Sequence, residues 1–306
     1  MKPHRIVSLL PSATEIVCAL GGSELLVGRS HECDYPPEIQ ALPVCTRPRI
    51  DPSTTSGEID IQVKKQLEKA LSIYEVDAER IQELKPHLII TQAQCEACAV
   101  SLADVEKAVQ SWQSPKPQIL SLSPQRLAEV WESIREVGRA MRLPDDGRDV
   151  LKALKMRVVG IIEKACLIKR RPSVVCVEWM EPLMAAGNWV PELVDLAGGK
   201  NLFGEAGKHS PWMKWEELEA ADPEIILLMP CGFDLERTQR ELTVLSDNPG
   251  WSKLQAVRKK QVYVIDGSHY FNRPGPRLVE SIEILAEIFN PKLFHIGHEK
   301  KAWKKL

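Results

Sequence analysis

The stretch ERIQELKPHLIITQ, residues 79–92, joins a helical pattern to a strand pattern through a single proline. Asp77 is suited to cap the helix, and Pro86 ends it because proline lacks the amide hydrogen that a helix needs. The apolar run that follows is typical of a buried strand. A second stretch, EELEAADPEIILLMP at residues 216–230, repeats this order of acidic helix, proline and apolar strand. We therefore predict two units of like topology.

Helices and strands alternate on both sides of these two stretches. Strands are predicted at RIVSLL, ELLVGRS, HLIITQ and QILSLS in the first half, and at PSVVCVE, EIILLMP and QVYVID in the second half. Alternation of this kind is typical of a parallel sheet with helices on its faces. We expect an α/β fold of two Rossmann-like lobes with mainly parallel sheets. The alternative is that any two α/β units share such a pattern.

The segment between the lobes has a helical period throughout, interrupted only at LPDD. Pro144 and Asp145 suit a new helix start, so the residues favour a break there. The predicted organisation is an N-terminal lobe at 1–122, a linking helix at 123–170, a C-terminal lobe at 171–292 and a basic tail at 293–306. We predict that the end of this tail, HIGHEKKAWKKL, is disordered.

Composition excludes several classes of function. The 306 residues carry a formal net charge of −2 with dispersed acids and bases, so neither nucleic acid nor an anionic membrane surface is an expected partner. No apolar run approaches the roughly 20 residues of a membrane span. The first apolar run, IVSLL, is broken at once by Pro11, unlike a secretory signal. The chain as it stands is expected to be cytoplasmic, or periplasmic or membrane-associated if a leader has been removed.

Eight cysteines are too few for a disulfide scaffold in a chain of this length. Cys18, Cys166 and Cys176 lie in apolar periodic segments and are predicted to be small core residues, which favours a reducing compartment. Cys95 and Cys98 form a C-x-x-C pair in QAQCEACAV, directly after the third strand.

Three interpretations of this C-x-x-C pair stay open. Cys95 and Cys98 could hold zinc or iron with Cys33, or with His31 or Cys231, since one pair supplies only two of the four ligands that zinc takes. They could form a redox pair activated at a helix N-terminus. The interpretation that we favour is a ligand-binding loop.

Ligands of an open parallel sheet bind outside the carboxyl ends of its strands. The segments that follow the predicted strands hold most of the unusual side chains, although aromatic residues make up only 6% of the sequence. Flat apolar rings with polar groups suit a large, planar, partly polar small molecule. The predicted ligand-binding residues are Ser12, His31, Cys33, Tyr35, Gln92, Cys95, Trp179, Trp189, Phe233, His269, Tyr270 and Arg273.

Several longer stretches carry a resemblance to a known family. HECDYPPEIQALPVCTRPRIDP, VEWMEPLMAAGNWVPELVDLAGGKNLF, PWMKWEELEAADPEIILLMPCGFD and VYVIDGSHYFNRPGPRLVESIEILA, together with ERIQELKPHLIITQ, resemble the cobalamin-binding members of the metal-chelate substrate-binding proteins of bacterial ATP-driven importers. The resemblance covers about residues 4–290.

The resemblance implies two α/β lobes joined by one long rigid helix, with cobalamin or a related corrinoid bound between the lobes. It also implies an acidic side chain on each lobe, here Glu79 and Glu216, that docks onto arginines of an ABC importer membrane subunit. Cobalt in a corrinoid accepts sulfur or imidazole as an axial ligand, which makes His31, His269 and the C-x-x-C pair candidates.

Two other functions stay open beside this one. The chain could be a cysteine-dependent metal- or corrinoid-handling enzyme, or it could bind another metal chelate such as haem or a siderophore. No Ser–His–Asp order, phosphate loop or H-E-x-x-H motif stands out. We therefore predict a monomeric binding protein and not an enzyme.

Overall fold

Two sheets of mainly parallel strands form the framework of the chain. The structure is a computed structural model and describes residues 4–69, 72–92, 100–110, 112 and 115–306. The chain divides into two compact units. Unit 1 comprises residues 1–54, 58–124 and 128–153, and unit 2 comprises residues 55–57, 125–127 and 154–306. The α/β fold class predicted from the sequence is confirmed.

Unit 1 is built on four parallel strands and a separate antiparallel pair. The strands are β1 (Ile6–Ser8), β2 (Leu26–Arg29), β3 (Thr46–Pro48), β4 (Tyr74–Val76), β5 (Leu88–Gln92) and β6 (Gln118–Leu122). The sheet order is β2-β1-β5-β6, and β3 pairs with β4. The helices as far as the linking segment are α1 (Pro11–Ala19), α2 (Ser56–Glu68), α3 (Ala78–Leu84) and α4 (Leu102–Gln110).

The apolar run in the first quoted stretch forms the interior strand β5, which pairs in parallel with β1 and with β6. All five of its residues are buried. A strand covered on both faces needs a continuous apolar run, and the alternation of a half-exposed strand would leave polar groups in the core. The sequence of β5 therefore determines the centre of this sheet.

The linking segment contains two helices, α5 (Leu127–Ala140) and α6 (Pro144–Ala165). The break that the residues favour is present, because Arg142 adopts a left-handed φ of 65° and Pro144 begins the next helix. Residues 123–170 are therefore not one continuous helix. The long helix that the resemblance implies is α6, which has 22 residues and continues from unit 1 into unit 2.

Unit 2 is built on a second, mixed sheet. Its strands are β7 (Ser173–Trp179), β8 (Met184–Ala185), β9 (Lys200–Asn201), β10 (Ile225–Leu228), β11 (Val262–Ile265) and β12 (Trp303–Lys305). The order is β12-β11-β10-β7-β8, β9 pairs with β7, and β12 is antiparallel to β11. Its helices are α7 (Val190–Leu196), α8 (Trp215–Ala221), α9 (Leu235–Arg240), α10 (Thr243–Ser246), α11 (Gln255–Arg258) and α12 (Leu278–Phe289).

The repeated helix–proline–strand pattern has the same local structure in both units. Helix α3 ends at Lys85, and helix α8 ends at Asp222; both residues adopt the left-handed conformation, with φ of 45° and 37°. A proline follows each of them, and strands β5 and β10 begin two residues after the prolines. The similarity seen in the sequence is therefore a similarity of backbone structure.

The prediction of a disordered tail is wrong. Residues Trp303–Lys305 form β12, and the indole of Trp303 is only 8% exposed. The carboxylate of Glu287 accepts hydrogen bonds from the backbone amides of Ile296 and His298, and from Nε1 of Trp303. The lysines of the tail suggested a solvated segment. The indole of Trp303 instead packs beside the carboxylate of Glu287, and β12 pairs with the edge strand β11.

Cys176 is buried in β7 as predicted. Cys166 is exposed, so its prediction as a core residue is wrong. It comes directly after the last residue of α6, where the helix no longer fixes an inward face. Among the described residues, no helix is both long enough and apolar enough to span a bilayer.

Candidate ligand-binding site

In unit 1, the segment after β2 is held against β3 through a threonine hydroxyl. Oγ1 of Thr46 accepts a hydrogen bond from the backbone amide of His31 at 3.0 Å and lies 2.7 Å from Nδ1 of the same residue. The same hydroxyl donates to Oγ of Ser30 at 3.1 Å. Because Ser30 and Thr46 are buried, these bonds position the His31 ring at the carboxyl end of β2.

The His31 imidazole is half-buried and packs on an aromatic ring. Its centroid lies 5.4 Å from that of Tyr74, whose hydroxyl donates to Glu32 at 2.9 Å. Burial, assisted by the charge of Arg29, lowers the pKa of His31 to about 4. The ring is therefore neutral at physiological pH, which is the form of histidine that binds metals.

The other predicted contacts of unit 1 differ in exposure. Cys33 is 1% exposed, and its sulfur accepts a hydrogen bond from Oγ1 of Thr14 at 3.0 Å. Ser12 in α1 and Gln92 at the end of β5 are also buried, whereas Tyr35 is exposed. The structure brings these residues to the carboxyl ends of β1, β2 and β5, and their contact with a ligand stays a prediction.

In unit 2, an aromatic pair and a guanidinium stand after β7 and β10. The ring of Trp179, the last residue of β7, lies 5.4 Å from the ring of Phe233. The guanidinium of Arg237 lies 3.7 Å from the centroid of Phe233, on helix α9, which Asp234 caps. Phe233 itself is buried, so only Trp179 and Arg237 of this cluster, which we call the Trp179 platform, are partly exposed and combine an aromatic ring with a cation.

A carboxylate–imidazole pair follows β11. Nδ1 of His269 lies 2.7 Å from Oδ2 of Asp266. The other carboxylate oxygen of Asp266, Oδ1, accepts a hydrogen bond from the backbone amide of His269, so Asp266 caps the π-helical turn Gly267–Phe271. Tyr270 lies in the same turn, and Arg273, which is buried, follows it. All of them stand at the carboxyl end of β11, as the sequence predicts.

Trp189 has a position in the interior of unit 2. It is buried, and its Nε1 donates to the backbone oxygen of Phe271 at 2.9 Å. This bond joins the start of α7 to the π-helical turn. The geometry gives Trp189 a structural role, and its predicted contact with a ligand stays untested.

The predicted metal site at the C-x-x-C pair cannot be compared with the structure, because Cys95 and Cys98 lie outside the described residues. The third predicted ligand, Cys33, is buried against Thr14. Within the described part of the chain, no group of three or more histidine, cysteine, aspartate or glutamate side chains is arranged to hold a metal ion. A zinc or iron site that includes the pair stays a prediction.

The two predicted docking residues are exposed. Glu79 lies in the first turn of α3, and Glu216 lies in the first turn of α8. A surface cavity of about 460 Å³ lies beside Glu79, and Arg47, Glu75 and Asp77 also line it. Because Arg47 pairs with Glu75, the lining of the cavity carries both charges.

Sequence reasoning missed four side chains that build these sites: Thr46, Tyr74, Arg237 and Asp266. Thr46 and Tyr74 come from the antiparallel pair β3–β4, whose short strands have no clear period. Arg237 reaches Phe233 from a helix that was not predicted. Only Asp266 had a usable signal, because an aspartate three residues before His269 suits a capped turn.

In both units, aromatic and polar side chains lie at the carboxyl ends of the parallel strands, which is where small molecules bind in open α/β sheets. A family model described as periplasmic binding protein matches residues 6–268. The chain belongs to this periplasmic binding protein family.

Individual relatives show the same similarity along nearly the whole chain. The uncharacterized ABC transporter substrate-binding lipoprotein YvrC of Bacillus subtilis (strain 168) is 26% identical over 299 residues, covering 96% of this chain and 82% of YvrC. The vitamin B12-binding protein of Vibrio cholerae (strain ATCC 39541) is 24% identical over 284 residues, covering 92% and 87%. The apo periplasmic haem-binding protein RhuT of Roseiflexus sp. RS-1 superposes with a TM-score of 0.70 at 23% identity, covering 94% and 98%.

Proposed function

We propose that the chain binds cobalamin or a related corrinoid and presents it to an ABC importer. The observation that carries the proposal is the Trp179 platform, in which the partly exposed ring of Trp179 and the guanidinium of Arg237 pack on the buried ring of Phe233 at the carboxyl ends of β7 and β10. A corrinoid is a planar ring with polar substituents at its edge, so both parts of the platform have a partner on such a ligand.

The relatives support both the corrinoid as ligand and the ABC importer as partner. The Vibrio cholerae relative is a vitamin B12-binding protein, and YvrC is a substrate-binding lipoprotein of an ABC transporter. A lipoprotein relative favours action at a membrane surface beside an importer, in place of the cytoplasmic location expected from the sequence as it stands. Haem is the second candidate, because the neutral imidazole of His31 suits iron as well as cobalt.

Thermal unfolding with added ligand tests the proposal. A ligand that binds only the folded chain at one hundred times its Kd stabilises it by about 2.7 kcal/mol, which raises Tm by several degrees. We expect this rise with cyanocobalamin, and a smaller one or none with ferric haem. No rise with either compound contradicts the proposal, and a rise with haem alone makes haem the ligand.

Two apolar residues of unit 2 supply the test variant and its control. Trp179→Ala should weaken cyanocobalamin binding by on the order of 2 kcal/mol, or roughly thirtyfold, because it removes an aromatic anchor. Leu167→Ala is the control, since this exposed residue precedes the amino end of β7, opposite to the end that carries Trp179. Equal affinities of the two variants contradict the role of the platform.

A further inference from the structure

Lysines and large apolar side chains are exposed together on two segments of unit 2. The first is the part of α6 that belongs to this unit, residues 154–165, and the second is the tail segment, residues 291–301, which precedes β12. We call the exposed residues of both segments the α6–tail surface. Its large apolar members, which are between 37% and 66% exposed, are Met156, Val159, Leu293 and Ile296. Its lysines are Lys155, Lys164, Lys292, Lys300 and Lys301.

A buried carboxylate and an aromatic ring hold the two segments together. Glu283 on α12 accepts hydrogen bonds from Nε and Nη2 of Arg157 at 3.0 and 2.9 Å, and its Oε2 lies 2.9 Å from Nε2 of His298. Two turns further along the same side of α6, Nζ of Lys164 lies 5.8 Å from the ring centroid of Phe294. One side of α6 therefore lies against the tail segment at two points, and the two segments form one surface.

The outer side of α6 has room for a partner. Met156 and Gly160 are one turn apart and share a face of the helix, and Val159 lies beside them. A methyl group at Gly160 would meet no neighbouring side chain within 4 Å among the described residues. Apolar side chains that are exposed together mark an interaction surface. Because this face belongs to a single helix, it is convex and offers no groove for a peptide or a small molecule.

The charge of the α6–tail surface is mainly positive. None of the salt bridges in the described part of the chain includes one of its five lysines, whereas Arg157 is paired with Glu283. Its exposed acids are Glu163 and Glu299. A lysine is a point charge on a flexible stem, so these side chains suit a diffuse anionic surface better than the fixed geometry of a single carboxylate partner.

We propose that the α6–tail surface binds an anionic phospholipid bilayer. The four apolar side chains enter the interfacial region, and the lysines extend beside them to the phosphate groups. The dispersed charges of the whole sequence predict no such partner, but folding brings the lysines of α6 and of the tail segment onto one surface. A second copy of the chain would place like charges opposite each other. The bilayer is a partner additional to the importer, and its binding does not depend on a bound corrinoid.

Sedimentation of the purified chain with phospholipid vesicles tests the proposal. We expect binding to vesicles of equal parts phosphatidylglycerol and phosphatidylcholine, much weaker binding to phosphatidylcholine alone, and release by high salt, which screens the attraction. The double variant Lys155→Gln with Lys292→Gln should bind the anionic vesicles roughly 25-fold more weakly, or about fivefold for each lysine. Met156→Gln should also weaken binding, because a polar side chain enters the interface less readily.

The control is the double variant Lys253→Gln with Lys259→Gln, which removes the same charge from exposed positions beside α11. This helix packs in a hydrophobic cluster with β7, β10 and α8. The α6–tail surface is attached to α12 instead, through Glu283 and Glu287. Vesicle binding by the control variant should equal that of the wild-type chain.

Every other outcome overturns the proposal. Equal binding to the two kinds of vesicle, or an equal loss in both double variants, removes the role of this surface in recognising anionic lipid. Absence of vesicle binding, with a dimer on gel filtration that Met156→Gln dissociates, assigns the surface to a second copy of the chain. Calorimetry with cyanocobalamin should give the same affinity for the wild-type chain and both double variants, so a failure of the proposed function is detected separately.

Discussion

Glu79 and Glu216 occupy the same position in equivalent helices. Each is the second residue of a seven-residue helix. A residue in the left-handed conformation, a proline and then an interior strand of the sheet follow each helix. Both carboxylates are exposed and close to the positive end of the helix dipole, which stabilises them where they are. Two exposed carboxylates at equivalent positions suit a binding partner that carries two cationic groups.

Charge reversal at these positions should separate docking from binding. Glu79→Lys and Glu216→Lys are each expected to lower importer-dependent uptake of the ligand by about tenfold, because the introduced lysine would face a cationic group of the importer. The Kd for the ligand should stay unchanged. The control is Glu83→Lys, an exposed acid on the same helix as Glu79. Uptake by the Glu83 variant that falls as far as uptake by the Glu79 variant contradicts specific docking.

The neutral state of His31 should make stability depend on pH. Burial and Arg29 lower its pKa to about 4 in the folded chain, against about 6.5 in an unfolded chain. Between these values the unfolded chain binds the extra proton, so the free energy of unfolding should decrease as pH falls from about 6.5 to about 4. His31→Gln should remove this part of the decrease, measured by urea unfolding at several pH values. An unchanged slope in the variant contradicts the buried neutral ring.

The C-terminal strand should be part of the folded core. Trp303→Ala is expected to lower the free energy of unfolding by about 3–5 kcal/mol, because it removes a buried indole and leaves Glu287 without one of its donors. Lys301→Ala, at an exposed neighbour, should change it by less than about 0.5 kcal/mol. Urea unfolding measures both. Similar small changes in the two variants show that the tail adds nothing to stability.

Two glutamates on α12 should respond to pH in opposite directions. Burial raises the pKa of Glu287, but hydrogen bonds from Gly297, Trp303 and other donors outweigh it and lower that pKa below its usual value. Its contribution to stability is therefore present above about pH 4.5 and lost as pH falls through the folded pKa. Burial raises the pKa of Glu280, and the charge of Arg157 offsets this rise only in part. The contribution of protonated Glu280 to stability is therefore lost as pH rises.

Matched amide variants check both signs in urea unfolding. Glu287→Gln should destabilise the chain more at pH 6 than at pH 3.5, because at the lower pH the unfolded carboxyl binds a proton and the stabilisation from the folded carboxylate decreases. Glu280→Gln should give a gain that is larger at pH 6 than at pH 3.5, since it removes the cost of a buried charge. The same sign of pH dependence in both variants contradicts this account of α12.

The sequence was most informative where contacts are local or where a run is buried on both faces. The helix–proline–strand repeat and the break at Pro144 depend on residues next to each other in the chain. The residues indicated both, although the resemblance led to a single linking helix at 123–170 in the predicted organisation. The tail was misjudged because its structure depends on Glu287 and on the edge of β11, partners that are distant in sequence. Thr46 was missed for the same reason, since it meets His31 across 15 residues.

The most direct test of the central claim is titration calorimetry of the purified chain with cyanocobalamin under reducing conditions. The account predicts binding at one site per chain, with affinity that falls roughly thirtyfold in Trp179→Ala and stays unchanged in Leu167→Ala. No heat of binding, together with no retention of the corrinoid on gel filtration, contradicts the claim that this chain is a corrinoid-binding protein.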